Sequence, residues 1–203
     1  MIGLPLRSGP AEPPGRSAVG TPARDPISAA PARAGVGALV GPHELRATMR
    51  QHAAGVTVIT TRDGGPGTTR DGDPVGFCAT SLSSVSLEPP TVSFAVAADS
   101  VSGRAWRTAE HGIVHLLHAD QAAVAATFAV TGAAKFAGPV GWRWGPCGQP
   151  LLDNVLAWML VGTRTRLVVG DHLLVVADVR ETAVTPGPSP LIHCRGGFHA
   201  LPG

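Results

Sequence analysis

The chain of 203 residues has no tyrosine, a single lysine and only three cysteines. Aromatic residues make up 4% of it and charged residues 15%, and the formal net charge is +2. The low charged fraction argues against a chain that is disordered throughout, and the nearly balanced charge argues against a nucleic-acid partner. No apolar run approaches the roughly 18 residues that a membrane-spanning helix needs, so we expect no membrane partner.

The number and spacing of the cysteines indicate the cellular compartment of the protein. Cys78, Cys147 and Cys194 are odd in number, lie far apart and form no CxxC pair. This pattern is typical of a reducing cytoplasm, not of a disulfide framework or a cysteine-rich zinc site. The start MIGLPLRSGP also lacks the basic and apolar segments of a secretory signal. We therefore expect a cytoplasmic protein.

Proline and glycine are concentrated near the start of the chain. Residues 1–42 hold eight prolines and seven glycines. A segment of this composition cannot bury a core, so it predicts a disordered Pro/Gly/Ala-rich tail, and residues 43–203 are predicted to form one domain. Two other interpretations of residues 1–42 stay open: an organelle transit segment, or a stretch that precedes the true start of translation.

Beyond residue 42, β-rich segments are joined by short connections. Strands are predicted over 55–61, 75–86, 91–97, 111–117, 155–169 and 172–184, with a last short strand within 191–201. Helices are predicted over 43–52, 120–130 and from Ser100 or Ser102 to about residue 110. Because short turns favour antiparallel pairing, we expect a mainly β fold, an antiparallel β-barrel with peripheral helices.

Familiar catalytic motifs are missing. The sequence has no GxxxxGK[ST] loop, no GxSxG elbow and no HExxH helix. His115, His118 and Asp120 suggest a metal cluster, but strand positions three apart point to opposite faces, so no metal site is predicted there. No carboxylates form an evident acid–base pair. The sequence therefore favours a site whose reactivity comes from a bound cofactor.

The most informative segment runs from Gly76 to Pro90 and reads GFCATSLSSVSLEPP. Its small residues would let a planar ring approach the backbone. Its hydroxyl and N–H groups could bind ring carbonyls, ribityl oxygens or a phosphate. From composition alone, a serine-rich edge strand that faces water explains the segment equally well.

Short motifs follow one another in order from residue 45 to the end of the chain. They are Leu45-Arg46 with Met49, residues 55–60, residues 76–90, Ser100 with Ser102, Gln121, Phe128, Lys135-Phe136, residues 148–152, Gly170-Asp171-His172, Pro190-Leu191 and Arg195-Gly196 with Phe198. In this ordered set the chain resembles the flavin reductase-like family, which has the FMN-binding split-barrel fold. The family includes the small NAD(P)H:flavin oxidoreductase components of two-component flavin monooxygenases. Cys78 stands where the family usually has Thr, and His115 where Asn is common.

The resemblance implies a split β-barrel with Greek-key-like antiparallel strands, a homodimer, and hydride transfer from NADH or NADPH to FMN or FAD. The reduced flavin would supply a separate partner monooxygenase. His172 is assigned to the nicotinamide side of the site. Flavin contacts are expected at Cys78, Ala79, Thr80, Ser81, Leu82, Ser84, Val85, Ser86, Ser100, Ser102 and Lys135.

Other functions and simpler roles remain open at this point. The chain could be a flavin-binding carrier or sensor without reductase turnover, a haem-binding or pyridoxine-phosphate-oxidase-like split barrel, or a degenerate subunit that binds no flavin. Ser100 and Ser102 could be plain helix caps, Lys135 a solvated surface charge and His172 an ordinary turn residue. Consumption of NADH with free FMN would distinguish a reductase from a carrier.

Overall fold

A computed structural model describes residues 39–64, 72–132, 134–138 and 140–201. Apart from Leu39, these residues belong to the unit Val40–Gly203. The predictions for residues 1–38, and for the loop at residues 65–71, lie outside the described residues. No helix in the described part of the chain is long and apolar enough to cross a membrane.

Strands dominate the described residues. The helices are α1 (Pro42–Met49), α2 (Val101–Trp106) and α3 (Ala122–Ala129), and a 3-10 turn at Ala119–Gln121 leads into α3. The strands are β1 (Ala54–Gly55), β2 (Thr57–Asp63), β3 (Asp73–Ala79), β4 (Ser83–Leu87), β5 (Pro90–Ala97), β6 (His111–Leu116), β7 (Trp142–Trp144), β8 (Pro150–Leu152), β9 (Ala157–Val169), β10 (His172–Val184), β11 (Leu191–Cys194) and β12 (Gly197–Ala200).

Seven strands form one antiparallel sheet in the order β3-β2-β6-β9-β10-β5-β4. The long hairpin of β9 and β10 runs through its middle, with register shifts between Val176 and Ala177 and between Val179 and Glu181. Such bulges bend and twist a strand, which lets the sheet curl. Two smaller sheets, β1-β11-β12 and β7-β8, accompany it. The prediction of a mainly β, antiparallel fold with peripheral helices is confirmed.

The core lies on both sides of β2. Val58 and Ile59 are adjacent in this strand, and neither is exposed to solvent. Ile59 packs in a cluster with Phe94 and Trp106, whereas Val58 packs in another cluster with Phe128. Because successive strand residues point to opposite faces, β2 is covered on each side, which explains its unbroken run of apolar and β-branched residues.

Two helices lie against β3 and frame its outer surface. The side chain of Ser100 caps α2 by accepting the N–H of Gly103 at 2.9 Å. A Cβ on Gly103 would lie 2.0 Å from the carbonyl oxygen of Ala97, so only glycine lets α2 approach β5 this closely. On the other side, a Cβ on Gly76 would lie 2.7 Å from the ring of Phe128, so glycine also lets α3 approach β3.

Three local expectations need correction. The single extended segment predicted over 75–86 is two strands, β3 and β4, because the chain leaves the edge beside β2 and joins the opposite edge beside β5. Residues 142–144, where the sequence predicted no strand, form β7. The end of the domain is a hairpin of two strands, β11 and β12, which pair with each other.

Candidate functional site

A cavity of about 260 Å³ lies where β3, β5 and the start of β10 meet α2 and the chain after α3. We call it the first cavity. Five residues singled out from the sequence line it, although they come from separate parts of the chain: Cys78, Ser100, Ser102, Lys135 and His172. Much of the remaining wall is small, with alanine at 95, 97 and 129 and glycine at 132. A narrow space with small walls suits a planar ligand.

The ammonium of Lys135 reaches from the chain after α3 onto β3. Its Nζ donates to the carbonyl oxygens of Gly76 at 3.0 Å and Phe128 at 3.1 Å. Within the described ranges it forms no ion pair with a carboxylate. Burial lowers the pKa of Lys135, and the nearby Cys78 opposes this shift. A half-buried cation with a third N–H to offer and no carboxylate is a good partner for an anion.

Cys78 lines the same cavity beside Lys135. Burial raises the pKa of this thiol to about 11, and the charge of Lys135 offsets only part of the effect. At neutral pH the side chain is therefore a protonated thiol, which is a poor nucleophile. Cys78 contributes shape and a weak donor to the cavity wall, not a reactive sulfur.

The hydroxyls of Ser100 and Ser102 are engaged within the protein. Ser100 Oγ donates to the carbonyl of Ala97 at 2.8 Å while it accepts from Gly103. Ser102 Oγ donates to Gly76 O at 3.1 Å, so Gly76 O accepts from both Ser102 and Lys135. The capping role considered for Ser100 is present. Contacts of these two serines with a flavin stay a prediction.

His172 stands at the rim of the first cavity, where β10 begins after the Gly170 turn. Its Nδ1 lies 2.7 Å from Oδ1 of the exposed Asp171. Because a carboxylate accepts hydrogen bonds, Nδ1 donates to Asp171, and in the neutral form of the ring Nε2 is an acceptor. The same hydrogen bond lowers the pKa of Asp171, which keeps that carboxylate ionised.

The other predicted flavin contacts do not gather around the first cavity. Ala79 is buried, and Thr80 and Leu82 line a separate cavity of about 280 Å³ together with residues of β1 and β11. Ser81 Oγ is hydrogen-bonded to the backbone of Ala95. The rest lie on the edge strand β4: Ser84 and Val85 are exposed, and Ser86 Oγ accepts the N–H of Glu88. Their contact with a flavin stays a prediction.

Several cavity residues were not among the flavin contacts predicted from the sequence. Phe77, Phe128 and the segment 129–132 contribute wall atoms. Gly132 has φ +75°, a left-handed conformation that favours glycine, and this glycine was the one available hint of a turn into the site. The aromatic and alanine positions look like ordinary core residues, and only their tertiary neighbours place them at the cavity.

The two histidines considered as metal ligands are used differently. His115 is fully buried; its Nδ1 donates to Val58 O at 2.8 Å, and its Nε2 accepts the N–H of Leu152 at 3.1 Å. Burial lowers the pKa of His115 to about 4, so the ring is neutral. His118 accepts the N–H of Asp120 and caps the turn before α3.

Comparisons with known proteins agree with one another. The model of the flavin reductase like domain matches residues 49–202. The chain is 40% identical over 160 residues to an NADH:FMN oxidoreductase of Rhodococcus qingshengii, covering 77% of this chain and 80% of that protein. It is 32% identical over 166 residues to the reductase subunit of a flavin-dependent monooxygenase of Mycobacterium tuberculosis, covering 81% and 84%. The crystal structure of a flavin reductase domain protein from Arthrobacter has a TM-score of 0.72 at 32% identity, covering 79% and 96%.

Proposed function

The chain belongs to the flavin reductase-like family, and we propose that it is an NAD(P)H:flavin oxidoreductase that passes a hydride from reduced nicotinamide to FMN or FAD. The observation that supports this most directly is the first cavity. It joins small walls, His172 and a lysine that forms no ion pair with any carboxylate in the described part of the chain. The absence of an acid–base carboxylate pair fits, because the flavin supplies the hydride-accepting chemistry when it is bound.

The residues present fit a flavin. Ala95, Ala97 and Gly132 leave room for a flat ring system. Lys135 offers the positive charge that a flavin phosphate needs, and its two bonds to backbone carbonyls hold the ammonium in position. Cys78, as a neutral thiol, adds no negative charge near an anionic ligand. These side chains bind and orient the ligand in this proposal, while Phe77 and Phe128 supply apolar wall.

His172 orients the nicotinamide in this proposal. Asp171 holds the Nδ1 proton, so Nε2 can accept a hydrogen bond from the carboxamide N–H of the nucleotide. This contact would fix which face and which edge of the nicotinamide meet the flavin. Hydride transfer depends strongly on such alignment. His172 therefore positions a ligand and moves no proton.

We also propose that the chain works as a homodimer. Leu167, Val168 and Val169 are 58%, 58% and 55% exposed at the end of β9. These three side chains form an exposed aliphatic patch at the hairpin end, next to Leu173, which pairs with Val168 and is buried. The hairpin turn also carries His172, so a second copy packed there would lie next to the site.

The proposal further includes a separate flavin-dependent monooxygenase that receives the reduced flavin. The similarity to a monooxygenase reductase subunit supports this. Residues 43–203 form the catalytic domain in this scheme. The free state of Cys78, Cys147 and Cys194 supports a cytoplasmic location.

The decisive test is anaerobic mixing of the purified protein with FMN or FAD and NADH or NADPH. We expect the nicotinamide absorbance to fall and the flavin absorbance to bleach at rates that rise with enzyme concentration. Tight flavin binding without nicotinamide consumption would show that the protein is a flavin carrier and not a reductase. A Soret band in the purified protein would show that the protein binds haem.

A further inference from the structure

A cavity of about 620 Å³ lies between β7 and the end of the β2–β3 hairpin. We call it the tryptophan cavity, because Trp142 and Trp144 line it together with Arg62, Pro74 and Gly148. None of these five residues lines the first cavity. The volume lies within the range of about 300 to 1,000 Å³ that is usual for small-molecule sites. The proposed function assigns no ligand to this cavity.

The two tryptophans form a fixed aromatic corner. They are two residues apart in β7, so their side chains lie on the same face of the strand, and their rings meet edge to face with centroids 5.0 Å apart. Trp142 is held in place, because its Nε1 donates to Phe136 O at 3.0 Å and its ring contacts that of Phe136 at 5.3 Å. Trp144 is 48% exposed. A planar aromatic ring can therefore stack on one indole and meet the edge of the other.

Arg62 adds a positive charge next to this corner. Its guanidinium lies against the turn after β7, since a Cβ on Gly148 would be 3.3 Å from Nη1 and 3.4 Å from Cζ of Arg62. Gly148 has φ +67°, a left-handed conformation that favours glycine, so this turn also leaves room for the arginine head. A guanidinium presents a planar fork of N–H donors, which matches the two oxygens of a carboxylate.

The charge of the cavity favours an anion. Among the described residues that line it, Asp73 is the one acidic residue. In the β2–β3 register, Arg62 pairs with Pro74, whereas Asp73 pairs with Asp63. Because successive strand residues point to opposite faces, the side chain of Asp73 leaves the face that carries Arg62 and Pro74. That face combines aromatic rings with a positive charge, which suits an aromatic anion and not a cation.

We propose that the tryptophan cavity binds a small aromatic carboxylate. The ring of the ligand lies in the corner of Trp142 and Trp144, and its carboxylate accepts hydrogen bonds from the guanidinium of Arg62. This site goes beyond the proposed function, because the binding needs neither flavin nor nicotinamide nucleotide.

Calorimetric titration of the full chain with phenylacetate, in the absence of flavin and nucleotide, tests the proposal. We expect one molecule to bind per chain with a Kd below about 1 mM. Phenethylamine carries the opposite charge on the same ring and should bind at least about tenfold more weakly. Cyclohexylacetate keeps the carboxylate but has no aromatic ring, and it should bind about fivefold more weakly.

Two variants locate the site. Arg62→Gln and Trp144→Leu should each weaken phenylacetate binding at least about tenfold, because they remove the charge partner and one wall of the corner. Arg143→Gln is the matched control: Arg143 lies between the two tryptophans in β7, points to the other face and pairs with Asp153. It should keep the affinity within about twofold. Circular dichroism shows whether each variant is folded, and the comparison of the three probes tests the proposal on the unmodified chain.

Several results would overturn the proposal. Absence of phenylacetate binding would do so, as would equal affinity for phenylacetate and phenethylamine, or an equal loss of affinity in Arg143→Gln and Arg62→Gln. Displacement of phenylacetate by FMN or NADH would place the ligand in the flavin or nucleotide site and would also overturn it. If the chain binds phenylacetate as described but does not reduce flavin, the proposed function fails and the aromatic carboxylate site stands.

Discussion

Ser81 bonds both backbone groups of Ala95 through one side-chain oxygen. Its Oγ accepts the Ala95 N–H at 3.0 Å and donates to the Ala95 carbonyl at 3.2 Å. The pairing of β4 with β5 sets Ser83 opposite Ser93, and the same register sets Ser81 opposite Ala95. The hydroxyl thus replaces the backbone hydrogen bonds between neighbouring strands at the point where the chain connects β4 to β3. Ser81 therefore holds a residue of the wall of the first cavity.

Ser81→Ala removes these two bonds. We expect the free energy of unfolding to fall by about 1 to 2 kcal/mol, since each bond has a net value of about 1 kcal/mol, and the flavin affinity to fall several-fold because Ala95 is less firmly held. Denaturant unfolding and flavin titration measure the two effects. Ser83→Ala is the control, since Ser83 is exposed on β4 and is not among the predicted flavin contacts. Equal behaviour of the two variants would refute the role of Ser81.

His172→Ala removes the proposed acceptor for the nicotinamide carboxamide. We expect KM for NADH to rise about tenfold, the effect of one lost hydrogen bond, while the dissociation constant for flavin stays within about twofold. Steady-state kinetics and flavin titration separate the two. Asp171→Asn keeps an oxygen acceptor for His172 Nδ1 and should have a smaller effect on KM. Unchanged NADH kinetics in His172→Ala would show that the turn has another purpose.

His115 makes the fold sensitive to acid. Its pKa is lowered to about 4 in the folded chain because burial disfavours the charged ring, whereas it is near 6.5 when exposed. Its contribution to stability is therefore complete above about pH 6.5, is lost progressively as the pH falls towards 4, and does not change further below that. The total is on the order of 3 kcal/mol. Denaturant unfolding at a series of pH values measures this slope, and His115→Asn, which has no ring to protonate, should flatten it.

Cys78 should resist alkylation. With its pKa raised to about 11, its thiolate fraction at pH 8 is about a hundredfold below that of an ordinary cysteine. Mass spectrometry after iodoacetamide treatment should find the exposed Cys147 modified first, and Cys78 at least about tenfold more slowly. Bound FMN should slow Cys78 further without affecting Cys147. Similar rates at the two sites would contradict the burial of Cys78.

The double variant Leu167→Asp with Val169→Asp tests the dimer. These charges would face each other in an interface built on the hairpin end, so we expect sedimentation to show a monomer where the unmodified chain is a dimer. Thr182→Asp lies at the other end of the same hairpin, paired with Met159, and should leave the dimer intact. If the double variant stays dimeric, the dimer interface lies elsewhere on the protein.

Local patterns predicted much of this molecule. The alternating and β-branched residues of 155–169 and 172–184 predicted the hairpin of β9 and β10, and Gly170 with Asp171 marked its turn. Ser100 was recognised as a candidate cap from its place before a helix. The ordered motifs indicated the family, because each reflects a short stretch of backbone that can be identified without its neighbours in space.

Contacts between distant segments could not be predicted in this way. Nothing near Lys135 in the chain indicates that its ammonium donates to Gly76, 59 residues away. Likewise, the sequence predicted that residues 78–86 together contact one flavin. The structure divides this segment between two strands at opposite edges of the sheet.

The amino-acid order by itself determined where strands and turns form, and which chemistry the chain lacks, since both depend on residues close together along the backbone. Only the folded sheet decided which of the singled-out residues meet. Curling of the sheet brings β3, β5 and the start of β10 around one cavity. Burial within the fold sets the protonation of Cys78 and His115. Desolvation and long-range packing are properties of neighbours in space, so no local pattern carries them.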